Sequence, residues 1–335
     1  MLRTRRIPKT ALLLLLALSL PIAAQKQTKP EKEKAANLPA VIWRDPGDVA
    51  TLNLTYGAGG KEHAPDPNGR FTFLKEDLKQ HSPKFDVEDE QGRRWRVKLG
   101  QEPQAETAAN RLLWVAGYFV DEDYYLAEFK VTGLPKLHRG QSFVSADGTV
   151  HRARLKLRSK QVKKEGDWDW FDNPFVGTKE LNGLRILMSL VNNWDLARNN
   201  NSIYEVDGER RYLVSDVGAS FGNTGNSLTR SKSALKGYAN SKFIEKVTSD
   251  YVDFVMHSRP FFLTVFDVPN YRARTRMEQV TKHIPRADAK WLGQRLARLS
   301  EEQIRDCFRT AGYTPEEVEG FSKAVQKRIA ELNAL

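Results

Sequence analysis

Asn192–Gly222 reads NNWDLARNNNSIYEVDGERRYLVSDVGASFG, and its middle has the pattern of a β-hairpin. Ser202–Val206 and Arg210–Ser215 flank Asp207-Gly208, a pair that tolerates the left-handed backbone needed to join antiparallel strands tightly. Counting outward from a turn of two or three residues sets Asn199 or Asn200 opposite Asp216. Side chains paired there on one face start roughly 5 Å apart. Asp195 lies just before this open end, in a polar loop. That loop leaves a predicted helix with Thr178 as N-cap and Leu181, Leu184, Leu187 or Met188, and Val191 on one face.

The chemistry of this cluster is specific. A carboxylate and an amide oxygen can hold magnesium against phosphates, and a second carboxylate can orient an attacking hydroxyl, which is the set phosphoryl transfer needs. An exposed Asn-rich turn, with Asp216 capping the next segment, accounts for the same residues without chemistry.

An aspartate followed five residues later by an asparagine, then a hairpin ending in an aspartate, resembles the catalytic and metal loops of atypical protein-kinase-like families: HipA-type serine kinases, phosphoinositide kinases and secretory-pathway casein kinases. The resemblance implies that Asp195 is the catalytic aspartate, and that Asn200 and Asp216 hold the metal. Three consecutive asparagines leave Asn199 and Asn201 as alternatives to Asn200. These families also place a lysine at a strand end and a glutamate on the following helix, and RRWRVKLGQEPQAETAANRLLWVAGYF offers Lys98 and Glu106 in that order. Such a lysine meets nucleotide phosphates while the glutamate fixes it. Each residue also has a bland reading, Lys98 on a half-solvated alternating strand and Glu106 as a first-turn acid.

A phosphate-covering loop has two candidates. Gln80–Phe85 resembles the short Ser/Pro/Lys loop of HipA-type kinases and would turn Ser82 and Lys84 toward phosphate. Tyr56–Lys61 is glycine-rich, which would let backbone N–H groups approach an anion. The first is preferred for its position relative to Lys98. One departure from the family pattern stands out. Leu196 and Ala197 occupy positions after Asp195 where a basic residue or histidine is usual, with Arg198 as a substitute.

The N-terminus reads as a leader. Arg3, Arg5, Arg6 and Lys9 precede an apolar run from Ala11 to Leu20, then Pro21 and the small residues Ala23 and Ala24. The run is shorter than the roughly 20 residues that span a bilayer, so the expectation is a signal peptide over 1–24 and no transmembrane segment in the mature chain. Residues 25–38 suit a flexible linker. The formal net charge of +11 includes four basic residues in 1–24 and a further excess of two in 25–35, leaving +5 on the body. So small an excess does not argue for nucleic acid. Cys307 is the one cysteine, so no internal disulfide forms. It shares a helical face with Ile304, Phe308 and Ala311, which predicts a core position. No His/Cys cluster has zinc-ligand spacing.

From Pro39 to Lys160 the pattern is mostly strand, with candidates at 50–55, 71–74, 84–87, 93–99, 124–131 and 150–157, interrupted by one helix from Pro103 to Gly117. The second half reads as mainly helical, with capping boxes at Ser300/Gln303 and Thr314/Glu317. The expectation is an α+β, two-lobed kinase-like fold. A strand-rich lobe with one main helix spans 39–160 and a mostly helical lobe spans 161–335. The implied function is an exported, periplasmic or extracellular phosphotransferase that uses ATP with Mg2+ or Mn2+ on a hydroxyl of a protein, lipid or glycan, protein Ser/Thr first. The competing reading is a non-catalytic, pseudokinase-like envelope binding or scaffold protein.

Overall fold

The strands of the first half close on themselves. In this computed structural model, which describes residues 37–79, 82–159, 161–225, 229–256 and 268–335, the chain begins with β1 (Ala40–Val41), β2 (Phe71–Asp77), β3 (Lys84–Asp89) and β4 (Arg94–Lys98). Helix α1 (Glu102–Val115), β5 (Asp123–Thr132) and β6 (Thr149–Leu157) follow. Strands β2 to β6 form a closed barrel in the order β2-β3-β4-β6-β5. Its neighbours are antiparallel except where β2 meets β5. Alternate residues fill the interior, among them Phe71, Phe85, Trp95, Val97, Phe129 and Leu155, so it is a packed core rather than a channel.

The residues between them decorate the opposite face. Lys84 pairs with Lys98, and Lys98 with Arg154, so three cations stand in one row across β3, β4 and β6. Like charges directly opposite one another repel. This row therefore requires acids from elsewhere in the chain.

Two differences from the sequence reading appear before β2. Val49–Thr51 is a 3-10 turn rather than a strand, because Asp48 accepts from the Ala50 N–H and the local bond displaces strand pairing. The glycines after Tyr56 also form a 3-10 turn, Gly57–Gly59. There the Tyr124 hydroxyl donates to the Gly60 carbonyl, and a Cβ on Gly57 would stand 2.5 Å from the Arg111 guanidinium. Arg111 is ion-paired with Asp123 at 3.0 Å, so these glycines make room for a buried structural pair.

The second half contains β7 (Lys163–Gly166), α2 (Lys179–Leu190), β8 (Asn201–Val206), β9 (Glu209–Val214), α3 (Leu235–Asn240), β10 (Ile244–Val247) and β11 (Tyr251–Phe254). It continues through α4 (Val268–Gln279), β12 (Ile284–Pro285), α5 (Arg286–Leu296), α6 (Glu301–Arg309) and α7 (Pro315–Asn333). Thr178, Ser300 and Thr314 cap α2, α6 and α7, the last two as full capping boxes. The sheet β10-β11-β12 was not legible, because its strands are only two to four residues long, too short for the alternation in β11 to stand out. β1 pairs parallel with β9, which extends the second-half sheet to β1-β9-β8-β7.

A larger core gathers α1 (Ala105, Ala108, Leu112) with Leu187, Phe221 and Phe308. Trp168, Trp170 and Cys307 are buried in it. Burial pushes the Cys307 thiol up to about 12. Helix α1 thus serves this core with one side, while its first two turns lie against the cationic face of the barrel. No helix among the described residues is long and apolar enough to cross a membrane. The leader and nearly all of the linker lie outside the described residues.

Candidate active site

The acids that the cationic row requires arrive from α1. Glu102 and Glu106 are four apart and share a helix face. Lys98 Nζ donates to Glu106 Oε2 at 2.8 Å, and Arg154 Nη2 donates to Glu106 Oε1 at 2.6 Å. All three side chains are buried. Lys98 also lies 2.5 Å from Glu102 Oε2 and 3.2 Å from Asp216 Oδ1. Burial opposes the ammonium charge, but Glu106, Asp216 and Glu102 together outweigh it and raise the lysine pKa.

Glu102 ties this centre to two further segments. Ser82 Oγ donates to its Oε2 at 3.0 Å, and Lys232 Nζ to its Oε1 at 2.6 Å. Burial works against the carboxylate, yet Lys98 and Lys232 hold it well below its usual range. Lys84 stands beside Lys98 in the barrel row, and burial followed by the neighbouring Lys98 charge lowers its pKa. Asp216 is likewise lowered, the Lys98 charge overcoming burial. Its side chain is 35% exposed, so one flank of the carboxylate stays open while Oδ1 meets Lys98 and the Gly218 N–H.

The hairpin delivers Asp216. Asp207 and Gly208 have φ of 53° and 73°, the left-handed pair of a tight two-residue turn between β8 and β9. The ladder ends at Asn201 opposite Val214. Just beyond it, the Asn200 carbonyl accepts from the backbone N–H groups of Ser215 at 2.7 Å and Asp216 at 3.1 Å. The Asn200 side-chain N–H donates to the Asp195 carbonyl at 2.9 Å, which leaves the amide oxygen as an acceptor. Asn199 is exposed, and Asn201 is buried with its amide on the Trp168 carbonyl. Of the three asparagines, Asn200 is the one bonded to both Asp195 and Asp216.

The Asp195 loop is held from beneath. Asn192 has φ of 54°, and its amide donates to the Gly222 carbonyl at 2.8 Å. Arg328 of α7 donates to the carbonyls of Ser189 and Leu190, which end α2, and to Asn192 Oδ1 at 2.8 Å. Carbonyls at a helix end lack intrahelical partners, and a buried guanidinium supplies them. Leu196 is buried, its carbonyl accepting from Trp170 Nε1. Arg198 is exposed and donates to the Asp167 carbonyl at 3.4 Å.

Three members of the cluster escaped the sequence reading: Glu102, Arg154 and Lys232. The first had a signal, since it precedes Glu106 by one helical turn. Arg154 looks like any outward residue of the alternating strand HRARLKL. Nothing local marks Lys232.

Ligand-capable oxygens of Glu102, Glu106 and Asp216 lie within 4.8 Å of one another. The Lys98 ammonium is bonded to all three, so the cation they share is this side chain.

The structure is similar to those of atypical kinases. A Helicobacter pylori proinflammatory kinase, CtkA, aligns over 80% of this chain and 97% of its own, with a TM-score of 0.43 and 11% identity. The Golgi casein kinase with Mn/ADP bound aligns over 81% of this chain and 74% of its own, with a TM-score of 0.40 and 9% identity. A second Golgi casein kinase structure gives 0.32 and 10% over 79% and 75%. No protein-family profile and no curated protein matches the sequence. These likenesses are remote.

Proposed function

We propose that this protein is an exported phosphotransferase, moving the γ-phosphoryl group of ATP to a hydroxyl acceptor with the help of a divalent cation. The observation that carries the reading is the convergence on one ammonium of carboxylates from distant segments. Glu106 comes from α1 and Asp216 from the end of the hairpin, 118 residues after Lys98. Burying such a group is costly unless well-placed carboxylates compensate it, and here Glu102, Glu106 and Asp216 do. A lysine fixed by Glu106, with Asp216 open on one flank, is suited to polyphosphate.

The donor set fits a hard cation. Mg2+ and Mn2+ take oxygen ligands, and the Asp216 carboxylate and the Asn200 amide oxygen are of that type. Such an ion would neutralise charge on the phosphates. Lys98, Ser82 and Lys84 are the chain's own phosphate-side groups, and Glu106 sets the position of Lys98. Asp195 would accept a hydrogen bond from the acceptor hydroxyl and then its proton, as that oxygen bonds to the γ-phosphorus and the bond to the ADP oxygen breaks. Protein serine or threonine is the first acceptor to test. The division into two lobes, with α1 between the barrel core and the larger core, belongs to the same proposal.

One observation favours a second reading, a binding protein without turnover. Leu196 is committed to the core and Arg198 to the Asp167 carbonyl, so neither supplies a cation to Asp195. Transfer of label from γ-labelled ATP, with magnesium or manganese, separates the two. Activity abolished by Asp216→Ala is the expected result. Nucleotide-dependent stabilisation with no transfer above that control would establish the binding protein instead.

A further inference from the structure

Glu102 stands where donors from three parts of the chain meet. Its Oε2 accepts from Ser82 Oγ at 3.0 Å and lies 2.5 Å from Lys98 Nζ, and its Oε1 accepts from Lys232 Nζ at 2.6 Å. Ser82 precedes β3, Lys98 ends β4, and Lys232 lies 130 residues beyond Glu102. The neighbouring Glu106 has a different setting. Its side chain is 1% exposed and shared between Lys98 and Arg154, which makes it a fixed strut. Glu102 keeps 17% of its surface and occupies the first residue of α1, where it has a way out. A cavity of about 810 Å³, lined in part by Gly100, Gln101 and Lys232, adjoins it and gives a displaced side chain room to turn.

The seat of this carboxylate is shaped from the other side by Gly218. A Cβ there would stand 2.8 Å from Glu102 Cβ and 3.1 Å from Oε2, so the side chain fits because position 218 carries none. The donors it holds are fully engaged. The Ser82 hydroxyl has one proton to give and gives it to Glu102. The Lys98 ammonium has three N–H groups and three carboxylates around it, Glu102, Glu106 and Asp216. Ammonium and hydroxyl donors recognise carboxylate and phosphate oxygens alike, so Glu102 and a phosphate compete for the same protons.

We infer that Glu102 is an internal competitor of phosphate: a polyphosphate takes Ser82, Lys98 and Lys232 together by displacing this one carboxylate. Glu102 is then a brake on nucleotide affinity, and Lys232, once released, is a further phosphate-binding residue. The inference rests on the phosphate-side placement of Ser82 and Lys98 proposed above and adds a regulation of that site. Its size follows from populations. A ligand that binds only molecules whose donors are released has its affinity reduced by their fraction, so donors held nine-tenths of the time lower affinity about tenfold.

The experiment is isothermal titration of the purified protein with inorganic tripolyphosphate in the absence of divalent metal, and separately with ADP and magnesium. Glu102→Gln should bind tripolyphosphate at least about tenfold more tightly than wild type. Glu102→Asp should gain as well, because the shorter side chain keeps its charge yet cannot span Ser82 and Lys232; it also serves if circular dichroism shows that the glutamine variant misfolds. A gain confined to Glu102→Gln, with Glu102→Asp at the wild-type value, is plain charge repulsion and overturns the inference. Lys232→Met added to Glu102→Gln should take back at least about tenfold, the order of a charge-assisted hydrogen bond, and an unchanged affinity overturns the role of Lys232. Weaker binding of magnesium ADP by Glu102→Gln than by wild type makes Glu102 a helper of the nucleotide and also overturns it. Tighter tripolyphosphate binding by both Glu102 variants, with no transfer from ATP, keeps the inference and removes the phosphotransferase. Transfer by wild type, with equal affinities in all three proteins, removes the inference alone.

Discussion

The Asp216 backbone N–H donates to the Asn200 carbonyl at 3.1 Å, and the Asn200 side chain donates in turn to the Asp195 carbonyl at 2.9 Å. Three positions proposed for chemistry are thus joined through one asparagine. Asn200→Ala keeps the carbonyl but removes the side-chain link and the amide oxygen. Label transfer by this variant should fall by at least about a hundredfold, since a misplaced catalytic group costs that much. The loss should be partly relieved at high manganese, and transfer within a few-fold of wild type at low magnesium would exclude the proposed role.

Lys98 is the shared partner of Glu102, Glu106 and Asp216. Lys98→Met leaves their charges facing one another, and it should cost about 3–5 kcal/mol of folding stability in urea denaturation. Adding Glu106→Gln should recover part of this, because the two sites are coupled. Strict additivity in the double variant would show that the ion pair is not the source of the loss.

Acid should weaken the same centre. The folded-state pKa values of Glu102 and Asp216 are depressed, Lys98 overcoming burial in both. Their contribution is complete above the unfolded values and is lost as pH falls through the lower folded values. Melting temperature should therefore decline steadily below about pH 5, and Glu102→Gln should flatten that decline while lowering the plateau near neutrality. Parallel acid limbs for the two proteins would contradict the assignment.

Cys307 is fully buried, and its thiol is pushed up to about 12. Thiolate is the reactive form. Native protein at pH 8 should consume almost no thiol-specific reagent over an hour, and denatured protein one equivalent. Rapid labelling under native conditions would mean that α6 opens readily.

Gly208 sits at φ of 73° in the hairpin turn. Gly208→Val should cost about 1–2 kcal/mol, because a β-branched residue resists that backbone. Asp207→Gly, which relaxes the neighbouring position, should be close to neutral by the same urea measurement.

What the sequence made legible follows the range of the interactions involved. Thr178, Ser300/Gln303 and Thr314/Glu317 announce helix starts because their partners lie three residues away. The Asp207-Gly208 turn narrows the partner of Asp216 to the run of three asparagines, and only the backbone bond from Asp216 to the Asn200 carbonyl singles one out. Lys98 and Glu106 could be picked out because strand end and helix start are adjacent in the chain. Arg154 and Lys232 could not, since their meaning depends on contacts 48 and 130 residues away. The β10-β11-β12 sheet was hidden for a different reason: strands of two to four residues are too short for a period of two to be recognised.

Arg328 bonds Asn192 across 136 residues of chain, and it also takes up the loose carbonyls at the end of α2. A nascent polypeptide therefore makes its Asp195 loop long before the residue that fastens it exists. Docking of α7 is what brings the fastening guanidinium to that loop, so the part of the molecule that reads as catalytic ripens after the strands around it have been made.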